Sequence, residues 1–349
     1  GLNIFWGLNS FEYVTDYDLY GWLAIANGGL TLLFGARNNL FTTIARVPSS
    51  ILLMYHRWAG LATVVHATFH FANVSSPWLT TAALHYVMES RRNQVGIMAW
   101  CALCIIAITS VNIMRRKLFE SFYYTHFVFI AFAIGAIMHA SHGLEFILPG
   151  FILWGIDRVI RFRYNFRRTG IKEVTLYDGD VTKMKIYGVA AKQPAMVAWI
   201  QIQGVSFLNW HPFTVSSTTS ENEVTVGLRE LGGFTRKVHR AVKDHYNEGR
   251  GGHALKNFRV RVDGPYRVGR VQGAIYPLTI LVAGGIGITP SIGIASYIMQ
   301  QAEVAGTDMV GCHVHLAWIV KERTHMEWFA DELKSITAKA AMPCVHVTF

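Results

Sequence analysis

Five long apolar segments fill the first 165 residues and constrain the fold more than any other feature. A helix needs roughly 20 residues to cross a bilayer, and each segment approaches or exceeds that length. The segments are residues 19–36, 47–72, 95–113, 120–141 and 145–159, the last of which contains Pro149. Only 15% of the 349 residues are charged, whereas a soluble domain usually carries about 25%. The sequence therefore predicts an α-helical membrane bundle at residues 1–164, followed by a water-soluble part.

Basic residues in the loops predict the orientation of this bundle. Cytoplasmic loops of membrane proteins are enriched in lysine and arginine. Residues 37–46 and 114–119 are basic and contain no acidic residue. We therefore expect both loops in the cytoplasm and residues 73–94 outside, where Asn73 begins an N-x-S glycosylation motif. The first segment then starts outside, which predicts one or more helices before Gly1.

Charge and cysteine content exclude two other classes. The net charge is +10, but much of the excess lies beside the apolar segments, as in residues 157–172, and no nucleic-acid recognition motif accompanies it. We expect no nucleic-acid partner. Four cysteines are too few for a disulfide scaffold. Cys101 and Cys104 have C-x-x-C spacing inside an apolar segment, where helix packing is expected.

Six histidines lie in or directly after two of the apolar segments. They are His56, His66 and His70 in HRWAGLATVVHATFH, His126 and His139 in the fourth segment, and His142 immediately after it. An ionisable residue inside a membrane segment indicates function by default, although an isolated one can be a neutral histidine bonded between helices. The 14-residue and 13-residue separations correspond to about 21 and 20 Å of helix. Opposed imidazoles at two matched depths suit two six-coordinate haems, whereas zinc prefers one closed tetrahedral site.

The 13-residue separation raises a geometric difficulty. On an ideal helix 14 residues return to within about 40° of the same face, but 13 residues end about 140° away. The pair His126 and His139 therefore requires a bend or local unwinding of the helix, which we place near Gly135, or a different partner. His66 and His142 remain alternative outer ligands.

The soluble part contains two regions with different secondary-structure patterns. Short β-rich runs over residues 165–270 predict an antiparallel barrel, and residues 271–349 read as an α/β domain. In the first, HPFTVSS is an extended run whose hydroxyls, Thr214 and Ser216, are suited to a flat polar ring. In LRELGGFT, Gly232 and Gly233 permit a turn into a helix beginning near Thr235, a natural pyrophosphate seat with Arg229 or Arg236 adding charge. A plain capped loop is the alternative.

The run LTILVAGGIGITP carries a stronger signal. A buried strand is predicted to end at Ala283, and glycines then allow the backbone to approach a ligand. A helix should start with Thr289 as N-cap and Pro290 as its first residue, N1. This arrangement predicts a phosphate-binding turn at the carboxyl end of a strand.

The spaced histidines are accompanied by four motifs, which follow in the order YTH, HPFT, DGPY and AGGIGITP. In these histidines and in the order of these motifs, the chain resembles the ferric reductase family of membrane flavocytochromes, which also includes the NADPH oxidases. The resemblance spans nearly the whole chain, and HRW and RNN are closest to the fungal-type reductases. It implies a helical transmembrane bundle followed by a ferredoxin-reductase-like module with an FAD-binding barrel and an NADPH-binding α/β domain. Carried over residue by residue, it implies haem ligands at His56, His70, His126 and His139. It implies cofactor-binding residues at His211, Pro212, Phe213, Thr214, Ser216, Arg229, Gly233, Phe234, Thr235, Gly264, Pro265, Tyr266, Gly284, Gly285, Gly287, Ile288, Thr289, Pro290, Lys321 and Arg323.

The resemblance also implies a function without a nucleophile or general acid. Electrons from cytosolic NADPH would pass through FAD and two haems b to an outer acceptor, a ferric or cupric ion or chelate. Reduction of O₂ is the alternative. A channel or transporter with a nucleotide domain would lack haem. The protein is expected to be integral to a lipid membrane, the plasma membrane, with its soluble domains in the cytoplasm.

Two positions and the C-terminal end depart from the family pattern. Arg267 replaces the last glycine of DGPYG. Lys321 stands where an arginine often favours NADPH, so NADPH is supported without excluding NADH. The family's C-terminal Cys-Gly segment and final aromatic are expected beyond the end of this chain, and Phe349 is not that aromatic.

Overall fold

The structure, a computed structural model, describes residues 17–45, 47–80, 89–191, 193–205, 210–216, 222–247, 259–267, 276–305, 313–338 and 345–348. The chain divides into two units, Gly1–Val159 and Ile160–Phe349. Cys312, Cys344 and Phe349 lie outside the described residues.

The described part of the first unit is helical. Its helices are α1 (Tyr17–Gly35), α2 (Leu40–Thr43), α3 (Ser49–Thr80), α4 (Arg91–Thr109), α5 (Asn112–Lys117), α6 (Phe119–His126), α7 (Phe129–His139) and α8 (Gly143–Tyr164). All five apolar segments are confirmed as helical, the fourth as two helices. Among the described residues, α4 and the stretch Phe119–His139 are long and apolar enough to cross a membrane by length and composition. Polar residues such as Asn27 and Arg57 lower the hydropathy of the other helices. Cys101 and Cys104 lie in α4 as free cysteines.

Small residues bring these helices together. A Cβ atom added to Gly150 of α8 would lie 2.8 Å from the carbonyl oxygen of Gly29 in α1, so only glycine permits this approach. Large apolar side chains instead point outward, among them Trp58, Leu61 and Ile108. An outward apolar surface of this kind suits contact with lipid.

Two antiparallel sheets build the first half of the second unit. Their strands are β1 (Gly170–Tyr177), β2 (Val181–Tyr187), β3 (Val197–Ile202), β4 (His211–Thr214), β5 (Glu223–Arg229) and β6 (Val260–Tyr266), and helix α9 (Gly233–Asn247) follows β5. The strand orders are β1-β2-β5 and β4-β3-β6. One core contains residues of both sheets, including Ile186, Ile200 and Val262. The antiparallel prediction is confirmed.

A parallel sheet builds the second half, as the α/β pattern predicts. Its elements are β7 (Leu278–Gly284), a 3₁₀ turn (Gly285–Gly287), α10 (Ile288–Ala305), β8 (His313–Ile319), a second 3₁₀ segment (Arg323–Phe329), α11 (Ala330–Ala338) and β9 (Val345–Thr348). The strand order is β7-β8-β9. Trp318, Trp328 and Phe329 are fully buried at its core.

A buried ion pair joins the antiparallel and parallel halves. Lys183 of β2 lies 3.0 Å from the Glu332 carboxylate of α11, and its side chain is only 6% exposed. Burial by itself lowers the pKa of this lysine, but the neighbouring carboxylate outweighs it and raises the pKa above the ordinary 10.5. A raised pKa in the folded state stabilises the fold fully below pH 10.5, and this stabilisation is lost as the pH rises through the higher folded pKa.

Replacing Lys183 with methionine should therefore lower the stability of the second unit at neutral pH by roughly 3 kcal/mol, because Glu332 is left buried without its partner. The wild-type protein should lose stability at alkaline pH as Lys183 loses its proton. In the methionine variant this part of the pH dependence should be absent. Thermal unfolding followed from pH 8 to pH 11 measures both effects. Lys185→Met, in an exposed pair with Glu173, should cost less than about 1 kcal/mol. Equal losses in the two variants would contradict the prediction.

Candidate functional site

The four histidines with 14- and 13-residue spacing form two opposed pairs. The ring centroids of His56 and His126 are 6.1 Å apart, and those of His70 and His139 are 6.0 Å apart. A bond from imidazole nitrogen to a transition metal is about 2.0–2.1 Å long. Two imidazoles on opposite sides of one metal atom consequently have centroids slightly more than about 6 Å apart. Both pairs fit bis-histidine ligation of a haem iron.

Backbone carbonyl groups fix the orientation of one imidazole in each pair. Nδ1 of His56 lies 2.8 Å from the carbonyl oxygen of Thr31 on α1, and Nδ1 of His139 lies 2.8 Å from that of Arg92 on α4. A carbonyl oxygen only accepts, so Nδ1 carries the proton in both rings and Nε2 keeps a lone pair. Metal-ligating histidines are commonly held in this way.

Glycines allow neighbouring helices to approach three of the four imidazoles. These glycines were not predicted from the sequence, although Gly21 and Gly35 repeat the 14-residue spacing of the histidines. The close pairs, given by the shortest distance from an added Cβ atom to the ring, are Gly35 with His56 (3.3 Å), Gly21 with His70 (3.2 Å) and Gly96 with His139 (2.6 Å). A larger residue would displace the ring that it meets.

The 13-residue interval is accommodated by a break in the helix, but not where we expected it. Helix α6 ends at His126 and α7 begins at Phe129, so the interruption comprises Phe127 and Val128. The expected bend near Gly135 is wrong. Gly135 lies inside α7, where an added Cβ would be 2.8 Å from the carbonyl oxygen of Val95. Its role is helix packing.

The two alternative outer ligands contact aromatic rings. His66 is buried next to Tyr20, with ring centroids 6.3 Å apart. The ring centroids of His142 and Trp22 are 4.9 Å apart, and Nδ1 of His142 lies 3.0 Å from Oε1 of Glu145. The structure thus brings His70, and not these residues, opposite His139.

Two motifs that we expect to bind the flavin meet at one point of the second unit. The rings of His211 and Phe234 stack at 3.8 Å with an angle of 17° between their planes. Helix α9 begins at Gly233, two residues before the expected start near Thr235. The Thr235 hydroxyl accepts hydrogen bonds from the amides of Leu231 and Gly232 at 3.1 Å, which closes the turn from within.

The hydroxyl groups of the HPFTVSS run differ in their surroundings. Ser216 is fully buried, and its hydroxyl donates to the carbonyl oxygen of Thr225 at 3.1 Å. We had expected this hydroxyl to face a flat polar ring of a ligand. It is instead hydrogen-bonded inside the barrel. Thr214 pairs with Val197 of β3, and Tyr266 pairs with the same residue from the other side. Thr214 and Tyr266 consequently flank one position of the sheet.

Two arginines, Arg161 and Arg167, bind the DGPY motif. From the sequence we had interpreted the basic residues of this stretch only as a sign of membrane orientation. Asp263 is 1% exposed and lies 2.6 Å from Nε of Arg161. The Tyr266 hydroxyl also donates to this carboxylate, and Arg167 donates to the Gly264 carbonyl at 2.7 Å. No local pattern pairs residues so distant in sequence, so these contacts were missed.

The glycine-rich turn is built much as predicted but begins differently. Strand β7 ends at Gly284 and α10 begins at Ile288, with a 3₁₀ turn between them. Thr289 is not the N-cap that we expected, and Pro290 is the third residue of the helix and not the first. Thr289 lies within the first turn, where its hydroxyl donates to the Ile286 carbonyl at 2.6 Å. Around Gly284 and Gly287 an added Cβ would meet no heavy atom within 4 Å among the described residues, so the backbone there is open to a ligand.

One positive side chain lies against this turn, and two more follow the neighbouring strand. Gly285 has φ +51, and an added Cβ would lie 3.3 Å from Nη1 of Arg229. Gly284 pairs with Ile319 in the parallel sheet. Lys321 and Arg323, both exposed, follow Ile319 at the same edge of the sheet. This edge combines a free backbone with cations, which suits a nucleotide phosphate.

Three family profiles match the chain in succession. They are the ferric reductase like transmembrane component at residues 20–137, an FAD-binding domain at 166–269 and the ferric reductase NAD binding domain at 276–348. Among solved structures, the ferredoxin-NADP+ reductase of Plasmodium falciparum is 12% identical with a TM-score of 0.37, covering 51% of this chain and 68% of that one.

Similar proteins include reductases and oxidases. Ferric reduction oxidase 8 of Arabidopsis thaliana is 27% identical over 310 residues, covering 85% of this chain and 41% of that protein. Human NADPH oxidase 3 is 26% identical over 292 residues, covering 70% of this chain and 50% of that protein. The chain thus spans half or less of the length of these relatives. From the three successive profiles and these relatives, the chain belongs to the family of ferric reductases and NADPH oxidases.

Proposed function

We propose that the protein carries electrons from cytosolic NADPH through FAD and two haems to a ferric or cupric ion or chelate on the outer side of a membrane. The two opposed imidazole pairs carry this proposal, because their centroid separations of 6.1 and 6.0 Å match two bis-histidine iron sites. The basic loops at residues 37–46 and 114–119 support a cytoplasmic location for the second unit.

The residues of the first unit would hold the haems. His56 and His126 would ligate the inner haem, and His70 and His139 the outer one. The carbonyl groups of Thr31 and Arg92 would keep the ligating nitrogens deprotonated and aimed at the metal. When bound, FAD splits a two-electron hydride into single electrons, and each haem carries one electron at a time.

The residues of the second unit would hold the flavin and the nucleotide. The stacked rings of His211 and Phe234, with Tyr266, offer apolar and backbone surface for the flavin ring. The turn Gly284–Gly287 offers amide groups to a pyrophosphate. Arg229, Lys321 and Arg323 add the positive charge that would favour the additional phosphate of NADPH over NADH.

The acceptor distinguishes a metalloreductase from an oxidase. Relatives of both kinds match the chain, a ferric reduction oxidase and an NADPH oxidase. The test uses the full-length protein, loaded with haem and FAD, in sealed vesicles with NADPH on the side of the second unit. Formation of Fe(II) from an external ferric chelate is compared with superoxide production in air.

We expect haem reduction by NADPH and more Fe(II) than superoxide. Dominant superoxide would favour the oxidase. A reduced-minus-oxidised spectrum without bis-histidine haem bands would reject the relay itself and favour a channel or transporter. Two outcomes, one on the acceptor and one on the cofactors, are therefore read separately.

A further inference from the structure

A second group of metal-ligating side chains lies far from the histidine pairs in sequence. Asp180, Glu230 and His239 each offer one ligand atom, and these atoms all lie within 4.8 Å of one another. In the part of the chain that the structure describes, this is the one group of three such residues. The electron-transfer proposal gives none of these three side chains a role, although Glu230 lies in the LRELGGFT run.

The backbone holds the two carboxylates side by side. Val181 and Arg229 pair between β2 and β5. Asp180 directly precedes β2 and Glu230 directly follows β5. The amide of Glu230 donates to the carbonyl oxygen of Asp180 at 3.0 Å. Asp180 has φ +59, a conformation that aspartate and asparagine accept better than other non-glycine residues. The carboxylates are consequently placed by the sheet and not by mobile loops.

Helix α9 brings the imidazole to these carboxylates. Val238 and Val242 of α9 are buried in the core of the two antiparallel sheets, which fixes the position of His239 between them. Nδ1 of His239 lies 3.0 Å from the hydroxyl oxygen of Thr182, a buried residue. In the tautomer in which Nδ1 donates to this oxygen, Nε2 keeps its lone pair for a metal. A second partner that orients the ring is typical of metal-ligating histidines.

We propose that Asp180, Glu230 and His239 bind a divalent transition-metal ion such as zinc. One imidazole and two carboxylates form a ligand set with mixed nitrogen and oxygen atoms, which transition metals accept more readily than calcium or magnesium. Arg236 lies 3.0 Å from one Glu230 oxygen and neutralises part of the negative charge. The ion would tie α9 to the ends of β2 and β5.

Cobalt titration tests the site in the full-length protein. The protein is loaded with haem and FAD, so that the membrane histidines are occupied, and is stripped of loose metal with a chelator. Bound Co²⁺ is counted by elemental analysis after equilibrium dialysis, and Zn²⁺ binding is measured by displacement of Co²⁺. We expect one saturable equivalent per chain. Asp180→Asn and His239→Gln should each weaken binding at least about tenfold.

Two further variants sharpen the result. Asp244→Asn removes the same charge from an exposed position of the same helix and should leave the affinity unchanged. Arg236→Gln should tighten Co²⁺ binding about fivefold, the equivalent of one surface ion pair. Asp180→Asn keeps an accepted backbone conformation, so the test survives if His239→Gln does not fold. Absence of saturable binding, or equal affinity in all variants, would overturn the site without affecting the electron-transfer proposal.

Discussion

Replacing His70 with leucine is expected to remove one of two haems, about half of the total, from the purified protein. His70 lies opposite His139 with ring centroids 6.0 Å apart, and leucine offers no ligand atom there. His66→Leu is expected to retain both haems, because His66 contacts Tyr20 and not a second imidazole. The ratio of haem to FAD in each variant, measured by absorption of the extracted cofactors, gives the result.

The haem ratio also separates ligand loss from misfolding. A variant that misfolds loses FAD together with haem, whereas loss of a ligand leaves FAD in place. His142→Leu provides a second control, since His142 contacts Trp22 and Glu145. Equal haem loss in the His66 and His70 variants would show that the outer ligand is wrongly assigned.

Replacing Asp263 with alanine is expected to lower the stability of the second unit by about 3–5 kcal/mol, because Arg161 is left without its buried partner. The two side chains are 2% and 13% exposed, so solvent screens the pair very little. Tyr266 loses an acceptor in the same step, which should also release FAD at lower temperature. Flavin fluorescence during heating reports both effects.

Two variants show whether burial is the cause. Asp263→Asn keeps an oxygen for Tyr266 and removes only the charge, so it should fold when the alanine variant does not. Glu173→Ala breaks an exposed pair with Lys185 and should cost less than about 1 kcal/mol. If Asp263→Ala releases flavin at the same temperature as Glu173→Ala, the buried pair has no special weight.

Local patterns were sufficient for the elements and for the histidine pairs. Apolar length identifies the helices, and β-rich runs separated by turn residues identify the strands. The intervals His56 to His70 and His126 to His139 identify two levels because helical rise converts residue number into distance. Each of these features depends on a short continuous stretch of sequence.

Long-range contacts were beyond local patterns. The break at Phe127 and Val128 contains neither glycine nor proline. No residue type there predicts that the helix is interrupted. From the sequence, Arg161 and Arg167 indicate only the membrane orientation. In the structure they donate hydrogen bonds to Asp263 and to the Gly264 carbonyl group. Ser216 and Thr289 have hydroxyl groups typical of ligand binding, but each donates to a nearby carbonyl group. Such choices are made by packing partners that sequence order does not reveal.

The glycines beside the inner and outer histidines limit how the first helix can change in length. Gly35 meets His56 and Gly21 meets His70, in reversed order because α1 and α3 run antiparallel. One residue inserted between the two glycines would turn one end of α1 by about 100° relative to the other. Only one glycine could then remain against its imidazole. Substitutions on the outward face of α1 leave this match intact, whereas a single insertion or deletion inside the interval breaks it.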